Sequence, residues 1–308
     1  MSTITSNSTP AVGDRLSPGV VIALLATYVI WGTTYLAIRF VVASVPPVLM
    51  AGSRFLIAGA VLFAILIARG HKVPGWGAWR SSAIVGLCML VGGMGLVALA
   101  ENMGVSSSLA AALIATVPLW SAIFARWFGR RVSRRDWLGI LIGFVGVALL
   151  NLEGDLRTNP VAAGVLFLSP MFWALGSQLS SRLDMPPGEM GTATEMLMGG
   201  LLLTIVSIVK GEPFPTLSAL PVVAWGAWIY LITFGSLLGF SAYMYLLRKV
   251  RPALATSYAY VNPLVALAAG AALADERISW LGLVGIAIVL GAVAFIALGR
   301  AEPAPHSS

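Results

Sequence analysis

Charge is what this 308-residue sequence has least of. Asp, Glu, Lys and Arg together make 10% of it, against about 25% in a soluble domain. Hydrophobic residues make 58%, and the mean hydropathy is +0.91. This balance leaves little room for a water-soluble globular fold. Cysteine is almost absent: Cys88 stands alone inside an apolar run, which excludes an internal disulfide and a thiolate metal cluster. The two histidines, His71 and His306, lie outside the apolar runs, which removes histidine-rich metal centres. No phosphate-binding G-x-x-x-x-G-K-[ST] run is present, so no ATP-driven step and no cofactor are expected. The net charge of +7 belongs to loops between apolar helices and does not point to nucleic acid.

What the sequence has is a series of charge-free runs: residues 16–38, 81–100, 102–125, 158–181, 252–274 and 278–299. Each is long enough to cross about 30 Å of hydrocarbon as a helix. Residues 137–152 are shorter but suffice with their flanks. Residues 213–247 are too long for one span, so their start, with Pro215 and Pro221, is a loop. Two more spans hold internal charge: 40–68 with Arg54, and 186–209 with Glu189 and Glu195. The expected total is ten. With the N-terminus inside, fourteen of the nineteen Lys and Arg fall in inside segments and four in outside loops, the asymmetry of the positive-inside rule. Both termini are therefore expected in the cytoplasm and the chain in a bacterial-type inner membrane. The first apolar run is too long and poorly flanked for a cleaved signal peptide. Residues 1–17 and 301–308 read as disordered tails.

The two halves resemble each other. Val45-Pro46-Pro47 recurs as Met185-Pro186-Pro187, and Gly59-Ala60 as Gly199-Gly200. Trp76-Gly77-Ala78-Trp79 recurs as Trp225-Gly226-Ala227-Trp228, Thr116-Val117-Pro118-Leu119 as Val261-Asn262-Pro263-Leu264, and Trp137-Leu138-Gly139 as Trp280-Leu281-Gly282. Five helices per half is an odd number, so the second half enters the membrane from the opposite side. The expected repeats are residues 18–152 and 153–300. Inverted repeats recur in secondary transporters, with the substrate site near the midplane between them.

These motifs, in this order, resemble the EamA-type branch of the drug/metabolite transporter superfamily. The similarity runs through Ile30-Trp31-Gly32-Thr33-Thr34-Tyr35, Arg54-Phe55-Leu56-Ile57-Ala58-Gly59, and Tyr260-Val261-Asn262-Pro263-Leu264 to Asp275-Glu276-Arg277-Ile278-Ser279-Trp280-Leu281-Gly282. It covers roughly residues 18 to 299. Within the family the chain looks most like the YedA- and YddG-like members, and the resemblance to the latter implies export of aromatic amino acids. The first repeat departs from the pattern: Gly129-Arg130-Arg131 stands where the second has Asp275-Glu276-Arg277, so no shared ion-binding role is assigned to that loop.

Within the spans, ionisable residues stand out because they are so few. Arg54 lies about two turns into its span, near 10 Å depth, where it costs several kcal/mol unless it faces protein or water. It reads as an anchor for a substrate carboxylate, or as a structural or snorkelling Arg. Glu195 lies on a stripe of small and polar residues (Gly191, Thr192, Gly199), as a bundle-facing surface does. It reads as a proton carrier, a partner for a substrate ammonium, or a fixed salt bridge to Arg54. Glu101 and Glu189, near helix ends, are expected to touch water or cap a turn.

Trp31 and Trp173 occupy matching deep positions, as cavity-lining aromatics for an aromatic or cationic substrate or as plain helix contacts. Thr34, Tyr35, Gln178, Tyr243, Tyr258, Tyr260 and Asn262 bring polar groups to membrane depth, where they must find partners. Pro118 and Pro263 read as gating hinges or as permanent bends. The remaining tryptophans read as interface anchors, and Gly139, Gly143, Gly146, Gly282 and Gly285 as close contacts between the fifth and tenth helices.

The expectation is an all-α integral membrane protein, a secondary exporter of small amphipathic metabolites, foremost amino acids including aromatic ones. Transport would proceed by rocking of the repeats around a midplane cavity, passively or coupled to protons, in a monomer or dimer. A multidrug, sugar or nucleoside exporter of the same fold is the alternative. An intramembrane enzyme lacks a catalytic constellation at depth, and a scaffold or sensor without flux lacks a soluble partner domain.

Overall fold

A computed structural model describes residues 17–105, 110, 113–130, 132–151, 160–274 and 280–297. The tails, and the Asp275-Glu276-Arg277 loop, lie outside the described residues. Helices α1 (Pro18–Val42), α2 (Pro47–Ala68) and α3 (Trp76–Asn102) come first, then α4 (Val117–Trp127) and α5 (Arg134–Asn151). The second half follows with α6 (Pro160–Ser180), α7 (Glu189–Val209) and α8 (Val222–Lys249), and with α9 (Tyr258–Ala274) and α10 (Trp280–Ala297). No strand occurs among the described residues. Among the described residues six helices, α1, α2, α3, α6, α7 and α8, are long and apolar enough to cross a membrane.

Local sequence sets the boundaries. Proline opens α1, α2 and α6, where its missing N–H costs nothing. Ser17 caps α1, its hydroxyl accepting from Val20 N–H at 3.3 Å. The loop expected before the eighth span is present, with a short 3-10 turn at Leu217–Ala219. The fourth span differs from the single charge-free helix expected over 102–125. It is interrupted at Ala115–Thr116, and the Thr116 hydroxyl bonds back to Leu113 O at 2.7 Å. A short helical turn, Pro252–Ala255, is likewise split from α9 at Thr256–Ser257. There both hydroxyls bond back to carbonyls of the preceding turn, a side-chain competition that breaks the helical ladder.

The halves interlock. The second helices, α2 and α7, run together along a seam of glycines. A Cβ at Gly200 would stand 2.5 Å from Leu56 N, and one at Gly59 would stand 2.7 Å from Leu197 N. Helices α5 and α10 form the other close pair, through Gly139 against Ile296 and Gly146 against Val289. Without a hydrophobic drive between helices in lipid, such approach is what holds them. At the end of α7, Gly211 turns the chain in a positive-φ conformation (φ 69°). Glu212 is thereby brought onto the start of α2, where it accepts from Leu49 N–H at 2.8 Å and from the Ser207 hydroxyl at 2.8 Å. At the opposite end Arg251 meets Asp136 at 2.8 Å and donates to Ile296 O at 2.7 Å, tying α5 and α10 to the start of the Pro252–Ala255 turn.

Trp76, Trp127 and Trp280 are exposed at helix ends, as interface anchors should be. Trp228 departs from that expectation. It is buried in the apolar core, because the first turns of α8 lie against α1. Replacing Gly200 by Leu should force α2 and α7 apart. A loss of about 1–3 kcal/mol, typical of overpacking, is expected as a lower melting temperature in detergent; an unchanged melting temperature would show the seam to be looser than its geometry.

Candidate functional site

Both third helices change their winding at mid-length. Residues Leu87–Gly95 of α3 and Leu231–Phe240 of α8 are π-helical, a widened turn that often marks functional positions. Each widened segment carries glycines, and each receives a tryptophan from the first helix of the other half. Trp173 of α6 lies against Gly93 and Trp31 of α1 against Gly239, where Cβ atoms would approach the indoles to 2.8 and 2.5 Å. Each also accepts a hydrogen bond through a glycine carbonyl. The Ser169 hydroxyl donates to Gly93 O at 3.0 Å, and the Trp31 indole N–H donates to Gly235 O at 3.0 Å.

The two indoles meet edge to face, with centroids 5.5 Å apart. Tyr243 and Tyr258 complete a cluster in which Trp31 lies 5.2 Å from Tyr243 and 4.7 Å from Tyr258. Tyr243 lies 5.4 Å from both Trp173 and Tyr258. The Tyr243 hydroxyl shares a 2.9 Å hydrogen bond with Ser177. Phe240 and Phe55 extend the layer.

A small cavity opens beside this layer. Trp31, Thr34, Tyr35, Trp173, Tyr258 and Asn262, all singled out in the sequence, line it, together with Ser169, Met94 and Val97. No lining residue is charged. The polar groups are hydroxyls, indole N–H groups and the buried Asn262 amide, which pairs with the Tyr35 side chain.

The other residues lie elsewhere. Tyr243 is part of the aromatic layer but not of the lining. Tyr260 turns toward α5, its ring over Gly143 and its hydroxyl donating to Ile140 O at 3.3 Å. Gln178 is buried with its side-chain oxygen unpartnered. Pro118 lies at the first turn of α4, just past the break, and borders a second cavity beside Asp136 and Arg251. Pro263 lies inside α9, well past the break at Thr256–Ser257, so the two prolines stand differently to the breaks in their helices.

Arg54 and Glu195 are fully buried but outside the lining. They do not form a salt bridge. Arg54 lies about 10 Å from one end of the bundle and Glu195 about 9 Å from the other, by helical rise. The aromatic layer lies between. The carboxylate whose charge acts on Arg54 is Glu101, and the cation acting on Glu195 is Arg248. Sequence reasoning passed over Glu101 as a helix-end residue in water; it is buried. The signal was its spacing, since Glu101 follows the cavity residue Val97 by one turn on α3. Ser169 carried the same signal, one turn before Trp173.

The comparisons with known proteins decide the family. The model of the EamA-like transporter family matches residues 18–152 and 161–298. The chain belongs to the EamA-like transporter family. It is 44% identical over 281 residues to the uncharacterized inner membrane transporter YedA of Escherichia coli K12, covering 90% of each chain. It is 26% identical over 302 residues to the uncharacterized transporter sll0355 of Synechocystis, covering 89% of this chain and 88% of that one. A solved crystal structure with 22% identity and a TM-score of 0.73, covering 91% of this chain and 96% of the other, shares the fold. This EamA-family chain is a membrane transporter with two family repeats, and its aromatic cavity is where the two meet.

Trp31→Phe would keep an aromatic ring in the layer and remove the donor to Gly235. A loss of about 1 kcal/mol is expected for that bond, read as a lower melting temperature. A variant as stable as the parent would show the bond to be dispensable.

Proposed function

We propose that this transporter exports small amphipathic metabolites, foremost amino acids and among them aromatic ones, by alternating access around the aromatic cavity. The observation that carries this reading is the cavity wall, in which Trp31, Tyr35, Trp173 and Tyr258 surround a space whose polar groups are uncharged. Such a wall suits an aromatic or aliphatic side chain. Buried Arg54 and Glu101 lie toward one end of the bundle and buried Glu195 toward the other, charges of both signs for the two ends of a zwitterion.

The reading includes ten spans in two inverted repeats. Residues 18–152 form the first and 153–300 the second, with both termini cytoplasmic in an inner membrane. The end carrying Arg126, Arg130, Arg134, Arg135, Arg182 and Arg251 then faces inward, and the end carrying Arg39, Glu101 and Glu212 faces outward. Proteins of this fold recurrently place the substrate at the repeat interface. Glu195 serves as the proton carrier if flux is proton-coupled, Arg54 as a carboxylate anchor, and Tyr243, Gln178 and Asn262 as hydrogen-bonding groups along the path. Tyr260 has a packing role, Pro118 acts as a hinge beside the break before α4, and Pro263 acts as a hinge within α9. A second reading, export of uncharged aromatic drugs or nucleosides, is favoured by one observation: no charged residue lines the cavity.

The test is flux in proteoliposomes, with labelled amino acids, a drug and a nucleoside, with and without a pH gradient. Counterflow of aromatic amino acids supports the first reading; flux of uncharged compounds alone supports the second and removes the first. Glu195→Gln should abolish the dependence of exchange on pH while leaving folded protein, checked by its melting temperature. PH-dependent exchange that survives the substitution would remove Glu195 as the carrier.

A further inference from the structure

Arg54 and Glu101 are an acid and a base buried in one region of the bundle but not joined to each other. Arg54 is 1% exposed and Glu101 8%. Nε and Nη1 of Arg54 and both carboxylate oxygens of Glu101 have no hydrogen-bond partner. Among the described residues the only ion pairs within 4 Å are Lys210 with Glu212 and Arg251 with Asp136. Yet the two are neighbours. Helix α2 lies against the last turns of α3, and the charge of each acts on the other. The further cation acting on Glu101 is Arg39, exposed near the end of α1.

The fold makes a tight pair elsewhere, at 2.8 Å between Arg251 and Asp136, so separation here is a property of the site. The Arg54 guanidinium lies over the Phe55 ring, 4.4 Å from its centroid, but a buried charge without a hydrogen-bonded partner is still costly, and breaking a buried pair costs more than forming it returns. Two such groups, of opposite sign and held apart, are complementary to one ligand carrying both charges. The apolar cavity lies near Glu101 but neither charged residue lines it. Val97, four residues before Glu101 and so on the same face of α3, lines it, and Tyr35 of its wall lies within the field of Glu101.

We propose that Arg54 and Glu101 form a two-point clamp for the zwitterionic head of an α-amino acid. The Arg54 guanidinium donates to the substrate carboxylate, and the Glu101 carboxylate accepts from the substrate ammonium. The substrate side chain lies against Val97 and Tyr35, toward the Trp31–Trp173 pair. Glu101, not Glu195, is thus the acid that reads the ammonium on this side of the aromatic layer. This assignment rests on the reading of the protein as an amino-acid transporter.

The experiment measures binding of three ligands to purified full-length protein: phenylalanine, its amide, which lacks the carboxylate, and 3-phenylpropionate, which lacks the ammonium. Wild type should prefer phenylalanine to both. Glu101→Gln should weaken phenylalanine and the amide about tenfold or more, the effect of one charge-assisted bond, and leave 3-phenylpropionate unchanged. Arg54→Gln should do the reverse, weakening phenylalanine and 3-phenylpropionate and sparing the amide. Equal losses for all three ligands in both variants would overturn the clamp and make the two residues structural. Wild type that binds none of the three would overturn the amino-acid reading and the clamp with it. Should Glu101→Gln not fold, Arg54→Gln decides alone: loss of the preference for phenylalanine over its amide supports the clamp, and an unchanged preference overturns it.

Discussion

The arrangement depends on a reciprocal contact: the first helix of each half is seated on the widened segment of the third helix of the other. Trp31 fits against Gly239 and donates to Gly235 O, while Trp173 fits against Gly93 and Ser169 donates to Gly93 O. A π turn brings a carbonyl within reach of a neighbouring helix, and glycine lets an indole come close enough to use it. Because the seating is mutual, the indoles converge on each other, and the aromatic layer belongs to both halves equally. The cavity, the Tyr243–Ser177 bond and the positions of Tyr258 and Asn262 all follow from where those two rings stop.

That layer divides the buried polar groups. Buried Arg54 and Glu101 lie on one side, and buried Glu195 with the exposed Arg248 on the other, each couple contributed by the second and third helices of one half, with the signs exchanged. The cavity itself carries no charge. A substrate crossing it would leave one pair of charges and meet another, and in between only hydroxyls, an amide and ring faces would hold it. Rings of this size supply contact area without fixing hydrogen-bond geometry, which suits a place that must be passed and not occupied.

Much of this was legible in the sequence because hydropathy and charge report directly on the membrane. A span such as Pro160–Ser180 follows from uncharged length, and the equivalence of Trp31 and Trp173 follows from the repeat. What escaped has physical reasons. A π turn has no hydropathy period of its own; its trace is Gly92-Gly93 with Gly95, and Gly235 with Gly239, which read equally as small helix-contact residues. Glu101 was misplaced because position along a helix gives depth but not facing, and a residue near an end is buried when another helix covers it. Tyr260 shows the converse, since a polar group at depth must find a partner and a backbone carbonyl of α5 supplied it. Glu212 was invisible as a cap because its target, the start of α2, is contributed by the other half.

The seam between α2 and α7 has a mechanical consequence. With Gly59 and Gly200 bringing backbone to backbone and Glu212 fastened across its end, the pair packs as a single beam, though its two members come from different halves and run in opposite directions. Arg54 and Glu195 sit toward opposite tips of that beam. Any tilt about its middle therefore displaces them to opposite sides, so a swing that presses one toward the passage withdraws the other. The beam carries a cation toward one end and an anion toward the other, so a tilt about its middle would move the two charges in opposite directions.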